Sequence, residues 1–383
     1  MAIHIFVTAF IILVVPLFCI IKIRPEYKGY RDISRNELIP KNEKISNNFL
    51  LIVSFAVAQV LLLGLRDFGG ADDESYRAFY DLGYGAGAWY GFLSEKEPFF
   101  ILFRTIGLTF ELNYKFLFLL YAMFQGIVIV KALRNYFNDV NSTVLYIAGY
   151  FFLTYSSVFT VMRQASAMAI IFYYYSLSEK ERDRWWLLLA ILAFFNHYAS
   201  ILVIVIELLR KLIIRKRYIS KITKILVPIM CLILGNFIDF QAIFSLLGTL
   251  SNGLYSYMDS TNNFLSSAKH SRVITVLFIV YCFLVISKSN SENKERTELL
   301  ETLQMIYFSL AFLALHLNWG SRIELYYKMF QPFIIIDVVN RFNKQSKLIL
   351  TVLICITLLF LFAVVIYSIP GIANYKWSLN FKK

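Results

Sequence analysis

Residues that could hold a metal or a disulfide are scarce in this sequence. Its four cysteines, Cys19, Cys231, Cys282 and Cys355, all sit inside apolar runs, with no CxxC or Cys/His spacing. Neither a disulfide framework nor a zinc site is supported, and each thiol reads as a small core residue. The acidic residues are not arranged as ligands within the apolar spans, so no metal and no cofactor is expected. Charged residues make up only 16% of the chain, while 58% are hydrophobic and the mean hydropathy is +0.62. A soluble globular domain holds about 45–50% apolar residues, so that class is excluded. The sequence also lacks transporter-type internal repeats, low-complexity tracts and any stripe of lysines interleaved with aromatics. The formal charge of +13 therefore does not point to nucleic acid.

What is present is a succession of apolar runs of the length a helix needs to cross about 30 Å of hydrocarbon. A barrel would show alternating segments of about ten residues instead. The fold class expected is all-α: a polytopic integral membrane protein with about 12 transmembrane helices, roughly 10–14. The run from Ala2 to Ile20 has no basic region before it and no small-residue cleavage site after it, so it reads as the first membrane helix and not as a signal peptide.

Lysine and arginine set the orientation. Residues 21–47 carry seven basic residues and are expected in the cytoplasm, with the N-terminus outside. Further cytoplasmic loops are expected at 131–142, 178–184, 210–224, 288–299 and 341–347. The spans then fall near 2–20, 48–65, 114–131, 143–160, 164–177, 185–196, 198–209, 225–247, 273–288, 300–317, 323–340 and 348–368. Residues 98–112 are too short and polar to span and read as a re-entrant or interfacial helix. The stretch 185–209 has basic loops at both ends, which forces a turn near Asn196 and His197; otherwise it is one long helix. The whole, 1–383, reads as one transmembrane domain with two outer loops, 66–97 and 248–272.

On this topology, polar residues gather at the outer face. Arg66 ends the second helix, Arg163 and Gln164 open another, His197 lies at a turn, and Arg322 begins an inward-going helix. Arg104 is a possible fourth cation. Any one arginine near a helix end is as well explained by snorkelling to lipid phosphate, but their recurrence on the face that positive-inside bias depletes favours an anion site. An arginine fork donates two parallel hydrogen bonds and stays charged, which suits phosphate. Glu97 stands immediately before Pro98, where it reads either as a helix cap or as a general base. Asp72, Asp73 and Glu74 form an acidic run whose plain reading is a solvated loop face. The outer loops are rich in tyrosine, with Tyr76, Tyr80, Tyr84, Tyr90, Tyr255 and Tyr257, and aromatic faces with hydroxyls suit sugars.

The ordered set "LRDFGGADDESYRAFYD", "EPFF", "MRQASAMAI", "FFNHYAS" and "SRIELYY" resembles the EpsG-type branch of the Wzy polysaccharide polymerases. Its elements run through residues 65–327. They are an arginine, glycine and aspartate before a tyrosine, Glu-Pro, Arg-Gln opening a helix, a histidine followed by serine, and a late arginine with tyrosines. The doubled glycine and extra acid in "GGADDESY" leave open whether Asp72 or Asp73 takes the aspartate position.

The resemblance implies a metal-independent glycosyltransferase of the bacterial cytoplasmic membrane that makes O-antigen, capsule or exopolysaccharide. Its substrates would be polyprenyl-diphosphate-linked oligosaccharides, as donor and acceptor, met on the outer face. A flippase and a chain-length regulator are implied partners beside membrane lipid. In this reading Arg163 and Arg322 grip the donor diphosphate with Arg66 assisting, and His197 is the general base, with Glu97 or Asp73 as alternatives. Asp72, Tyr76, Gln164, Ser200 and Tyr326 are expected to contact substrate. Three rival classes are less well matched. A glycan ligase usually has a large outer loop, and 248–272 is short. A flippase or transporter would place charge at mid-membrane, and a membrane acyltransferase would place its histidine deep in a cytoplasmic funnel.

Overall fold

The protein is described here from a computed structural model, over residues 2–16, 41–67, 72–81, 97–214, 219–237, 272–287, 294–313, 318–368 and 380–381. Among the described residues every regular element is a helix. α1 (Ala2–Ala9) and α2 (Lys41–Gln59) each run on into a π-helical turn, Phe10–Val14 and Val60–Gly64. The short α3 (Asp73–Asp81) and α4 (Pro98–Thr109) follow. α5 (Lys115–Tyr136), α6 (Val140–Leu153), α7 (Tyr155–Thr160), α8 (Met162–Ser176) and α9 (Glu179–Asn196) complete the first half. Then come α10 (Ser200–Ile214), α11 (Lys221–Phe237), α12 (Arg272–Ile286), α13 (Lys294–Leu313), α14 (Asn318–Lys328), α15 (Pro332–Asn340) and α16 (Lys344–Ser368).

Among the described residues two helices, Lys115–Tyr136 and Gln345–Ser368, are long and apolar enough to cross a membrane. Five further apolar helices are shorter, 10–17 residues each, so the expected count of about twelve spans is not confirmed. The charged segments explain part of the difference, because several are helix ends where loops were expected. Residues 178–184 form the first turns of α9, where Ser178 and Glu181 make a reciprocal capping box. The expected span 323–340 is two helices, since Pro332 lacks the N–H that would continue α14. The expected span 143–160 is likewise broken, at Thr154. The turn expected near Asn196 and His197 is present, but its flanking helices have 18 and 15 residues because they extend into the basic segments. α16 turns Leu353, Ile356, Phe360, Val364 and Tyr367 outward, an apolar face suited to hydrocarbon.

The helices divide into two compact units, 1–201 with 338–383, and 202–337. In the first, α2 and its π turn pack on α5 through small residues. A Cβ on Gly64 would stand 3.1 Å from Leu119 Cα, and one on Gly126 would stand 3.3 Å from Val60 Cγ2. Removing side chains there lets the two backbones approach closely. α5 also packs against α8, α8 against α9, and α6 against α16. Tyr76, Tyr80, Phe100, Tyr114, Phe118, Tyr121 and Met162 form a buried cluster that joins α3 and α4 to α5 and α8. In the second unit α13 packs against α11, α12 and α14. There Lys224, 1% exposed, reaches Glu298 and Glu301 at 2.6 Å each, which ties the start of α11 to α13.

Candidate functional site

Glu97 precedes the proline that starts α4, and its backbone is extended (φ −60°, ψ 136°). Its carbonyl accepts from Phe100 N at 2.9 Å, as the residue flanking a helix should. The side chain makes no capping bond, so the modest reading of Glu97 as a cap does not account for its carboxylate. That carboxylate points into the bundle. Oε2 pairs with Arg163 Nη1 at the start of α8, and Oε1 lies 2.9 Å from His197 Nδ1 at the end of α9. The three come from segments 66 and 100 residues apart and show only 7%, 19% and 16% of their side chains to solvent.

The electrostatics of the cluster follow from these contacts. Burial alone would push the Glu97 carboxyl up. The hydrogen bond from His197 and the charge of Arg163 outweigh it and hold the carboxyl below its ordinary value. An ionised carboxylate can only accept, so His197 donates from Nδ1 to Glu97, and the neutral form of that tautomer carries its acceptor lone pair on Nε2. Arg163 is set by its surroundings as well as by Glu97. Its guanidinium lies 5.3 Å from the Tyr76 ring centroid and 5.5 Å from that of Phe100.

Arg66 is placed differently from the sequence expectation. It is 1% exposed, its Nη2 lies 2.6 Å from Asp73 Oδ1, and Nη1 donates to the Phe159 carbonyl. The rings of Phe118 and Phe159 cover the guanidinium, 4.5 and 4.6 Å from their centroids. Asp73 has no exposed side chain. Arg66 and Asp73 therefore form a buried ion pair that ties α3 to the end of α2. Asp72, the other candidate, is partly exposed.

Tyr76 is 2% exposed, and its ring serves as a wall beside Arg163. Gln164 is buried in the first turn of α8. Ser200 begins α10 with its N–H donating to the His197 carbonyl at 3.0 Å, and its Oγ is buried without a hydrogen-bond partner. Arg104 donates from Nε to the Tyr80 carbonyl at 3.1 Å, which holds α4 to α3. Arg322 and the fully buried Tyr326 lie one turn apart on α14 in the second unit. Tyr84, Tyr90, Tyr255, Tyr257 and the 248–271 part of the second outer loop lie outside the described residues. Among the described residues no group of three His, Cys, Asp or Glu side chains is placed to hold a metal ion.

Two groups beside the cluster were not singled out from sequence. Tyr121 of α5 belongs to the aromatic cluster under Arg163, and Asn196 precedes His197 with its Oδ1 buried and unpartnered. A signal existed for the first, since Tyr121 and Gln125 are polar residues one turn apart in the otherwise apolar stretch 116–130 of α5.

No curated protein and no solved structure matches the chain. One family model does, the EpsG family, over residues 48–377. The match includes the segments of Arg66, Glu97, Arg163, His197 and Arg322 and covers most of the sequence: the chain belongs to the EpsG family.

Proposed function

We propose that this protein is a surface-glycan polymerase of the bacterial cytoplasmic membrane, acting at the outer face on polyprenyl-diphosphate-linked repeat units. The observation that carries the reading is the Glu97 carboxylate shared between Arg163 and His197. It sets an anion-binding side chain and a proton acceptor side by side, which is what transfer of a sugar from a diphosphate requires. EpsG family membership supports the polysaccharide class of the reaction.

The donor carries its own leaving group, so the protein's task is to receive the diphosphate's charge and position the acceptor. A hydroxyl at the non-reducing end of the acceptor unit attacks the donor's anomeric carbon. The bond from that carbon to the phosphate oxygen breaks, and the electron pair leaves on the polyprenyl diphosphate. The hydroxyl proton passes to His197 Nε2, while Glu97 holds Nδ1–H and stabilises the imidazolium that forms. Arg163 receives the developing phosphate charge, and Arg322 is assigned a diphosphate-binding role of its own. Arg66 and Asp73 are assigned a positioning role, and Asp72, Gln164, Ser200 and Tyr326 the orientation of substrate.

Lipid and glycan profiling of a deletion strain tests the class. A polymerase deletion leaves single repeat units on the final acceptor, and restoring the gene restores long chains. Long polymer accumulating on the carrier lipid would make the protein a ligase, and loss of all surface glycan would make it a flippase.

A further inference from the structure

Asn113, in the turn between α4 and α5, binds a segment 267 residues further along the chain. Its backbone N–H donates to the Phe381 carbonyl and its Nδ2 to the Asn380 carbonyl, both at 2.8 Å. Two donors on one residue, received by two successive carbonyls, fix both the place and the direction of residues 380–381. The other two polar atoms of Asn113 serve α5. Oδ1 accepts from Lys115 N at 3.0 Å, and the carbonyl accepts from Phe116 N at 3.1 Å. An amide side chain is needed for this double duty, because a carboxylate would keep the acceptor and lose the donor.

The turn is coupled tightly to α4. Leu112 N bonds the Gly107 carbonyl at 2.8 Å, Glu111 N bonds that of Leu108 at 3.1 Å, and the Tyr80 hydroxyl donates to the Leu112 carbonyl at 2.6 Å. A displacement of the turn therefore carries the helix with it. Glu97 starts that helix at its other end, 12 residues or about 18 Å away. Its Oε1 lies 2.9 Å from His197 Nδ1, and a hydrogen bond of that length is lost within about 1 Å of movement. Asn113, α4, His197 and residues 380–381 all belong to the first compact unit.

We infer that Asn113 and residues Asn380–Phe381 form a latch that positions α4, and through it sets the Glu97 carboxylate against His197. Asn113 is thus a positioning residue that acts through Glu97 and touches no substrate. The inference rests on the reading of Glu97 as the partner of the proton acceptor. A misplaced catalytic carboxylate lowers rate steeply, so a latch far from the reacting atoms still controls turnover.

The test measures the rate of polymer synthesis in membranes of the complemented deletion strain, at matched protein level. Asn113→Asp keeps an acceptor for Lys115 N and faces the Asn380 carbonyl with a second oxygen, so α5 keeps its start and the latch opens. The rate should fall about three- to tenfold, the worth of one hydrogen bond. Placed on Glu97→Gln, the same change should cost nothing further, because the carboxylate it positions is gone. A wild-type rate in Asn113→Asp, or an equal loss in both backgrounds, would overturn the inference. The contact itself is read without activity. Asn113→Cys combined with Phe381→Cys should be joined by a short thiol cross-linker, and neither single variant should be. Joining should also restore the rate lost in the unjoined pair. No cross-link, or a joined protein as slow as the unjoined one, would overturn the latch and leave the Glu97 reading standing. A wild-type rate in Glu97→Gln would end that reading and the inference with it.

Discussion

Arg66 and Asp73 hold each other at 2.6 Å with 1% and 0% of their side chains exposed, so this pair serves the fold. A buried pair of this kind is costly to break on one side, about 3–5 kcal/mol, because the remaining charge has nowhere to go. Asp73→Ala should therefore lower the melting midpoint in detergent sharply. Joint replacement by Arg66→Met and Asp73→Leu should recover most of the loss. An Asp73→Ala protein as stable as wild type would remove the anchoring role.

The base pair of the proposed reaction is tested by chain length and rate. His197→Gln should lower turnover by about 10²–10⁴-fold, the usual worth of a positioned general base. Glu97→Gln should produce a loss of similar kind, since a neutral amide no longer holds the imidazolium. The double variant should be little worse than either single one, because the two side chains act as one unit. Full-length polymer from His197→Gln would take the histidine out of the role.

If each arginine binds diphosphate, Arg163→Ala and Arg322→Ala should each abolish long-chain polymer at normal expression. Arg163→Lys should restore little, because an ammonium keeps the charge but not the planar fork. Long-chain polymer from both alanine variants would end the diphosphate assignment.

The lowered Glu97 carboxyl gives a pH dependence of stability with a definite sign. A carboxylate held below its ordinary value, 4.5, contributes stability that is present above that value. The contribution disappears as pH falls through the lowered folded value. The melting-midpoint difference between wild type and Glu97→Gln should thus be flat at neutral pH and shrink only in acid. A difference that grew on acidification would reverse the assignment.

The positions of Glu97, Arg163 and His197 at helix ends were legible in the sequence, because proline, a broken apolar run and a charge imbalance each mark a terminus. Their convergence was not, since contact between segments 66 and 100 residues apart depends on how α4, α8 and α9 pack. The choice between Asp72 and Asp73 was also out of reach. Adjacent helical residues point about 100° apart, and only the place of Arg66 decides which is buried. Span lengths were misjudged for a related reason. Lysine, arginine and glutamate are good helix formers, so charge marks a membrane boundary without ending a helix, as in α9.

Gly107 offers a test of how the aromatic cluster supports α4. The helix closes in a Schellman arrangement, with Leu112 N bonded to the Gly107 carbonyl at 2.8 Å and Glu111 N to that of Leu108 at 3.1 Å. Glu111 takes the left-handed position with φ 54°. The Tyr80 hydroxyl sits beneath this turn, donating to the Leu112 carbonyl at 2.6 Å, and a Cβ on Gly107 would collide with it. In a free helix interior glycine to alanine gains up to about 1 kcal/mol. Here Gly107→Ala should instead destabilise by about 1–3 kcal/mol, because the Tyr80 ring is buried and its hydroxyl is held in place. Tyr80→Phe removes the obstructing oxygen, so Gly107→Ala should cost much less in that background than in wild type. The coupling would be read as non-additivity of the two melting shifts, and strictly additive shifts would show that Tyr80 does not occupy the space above Gly107.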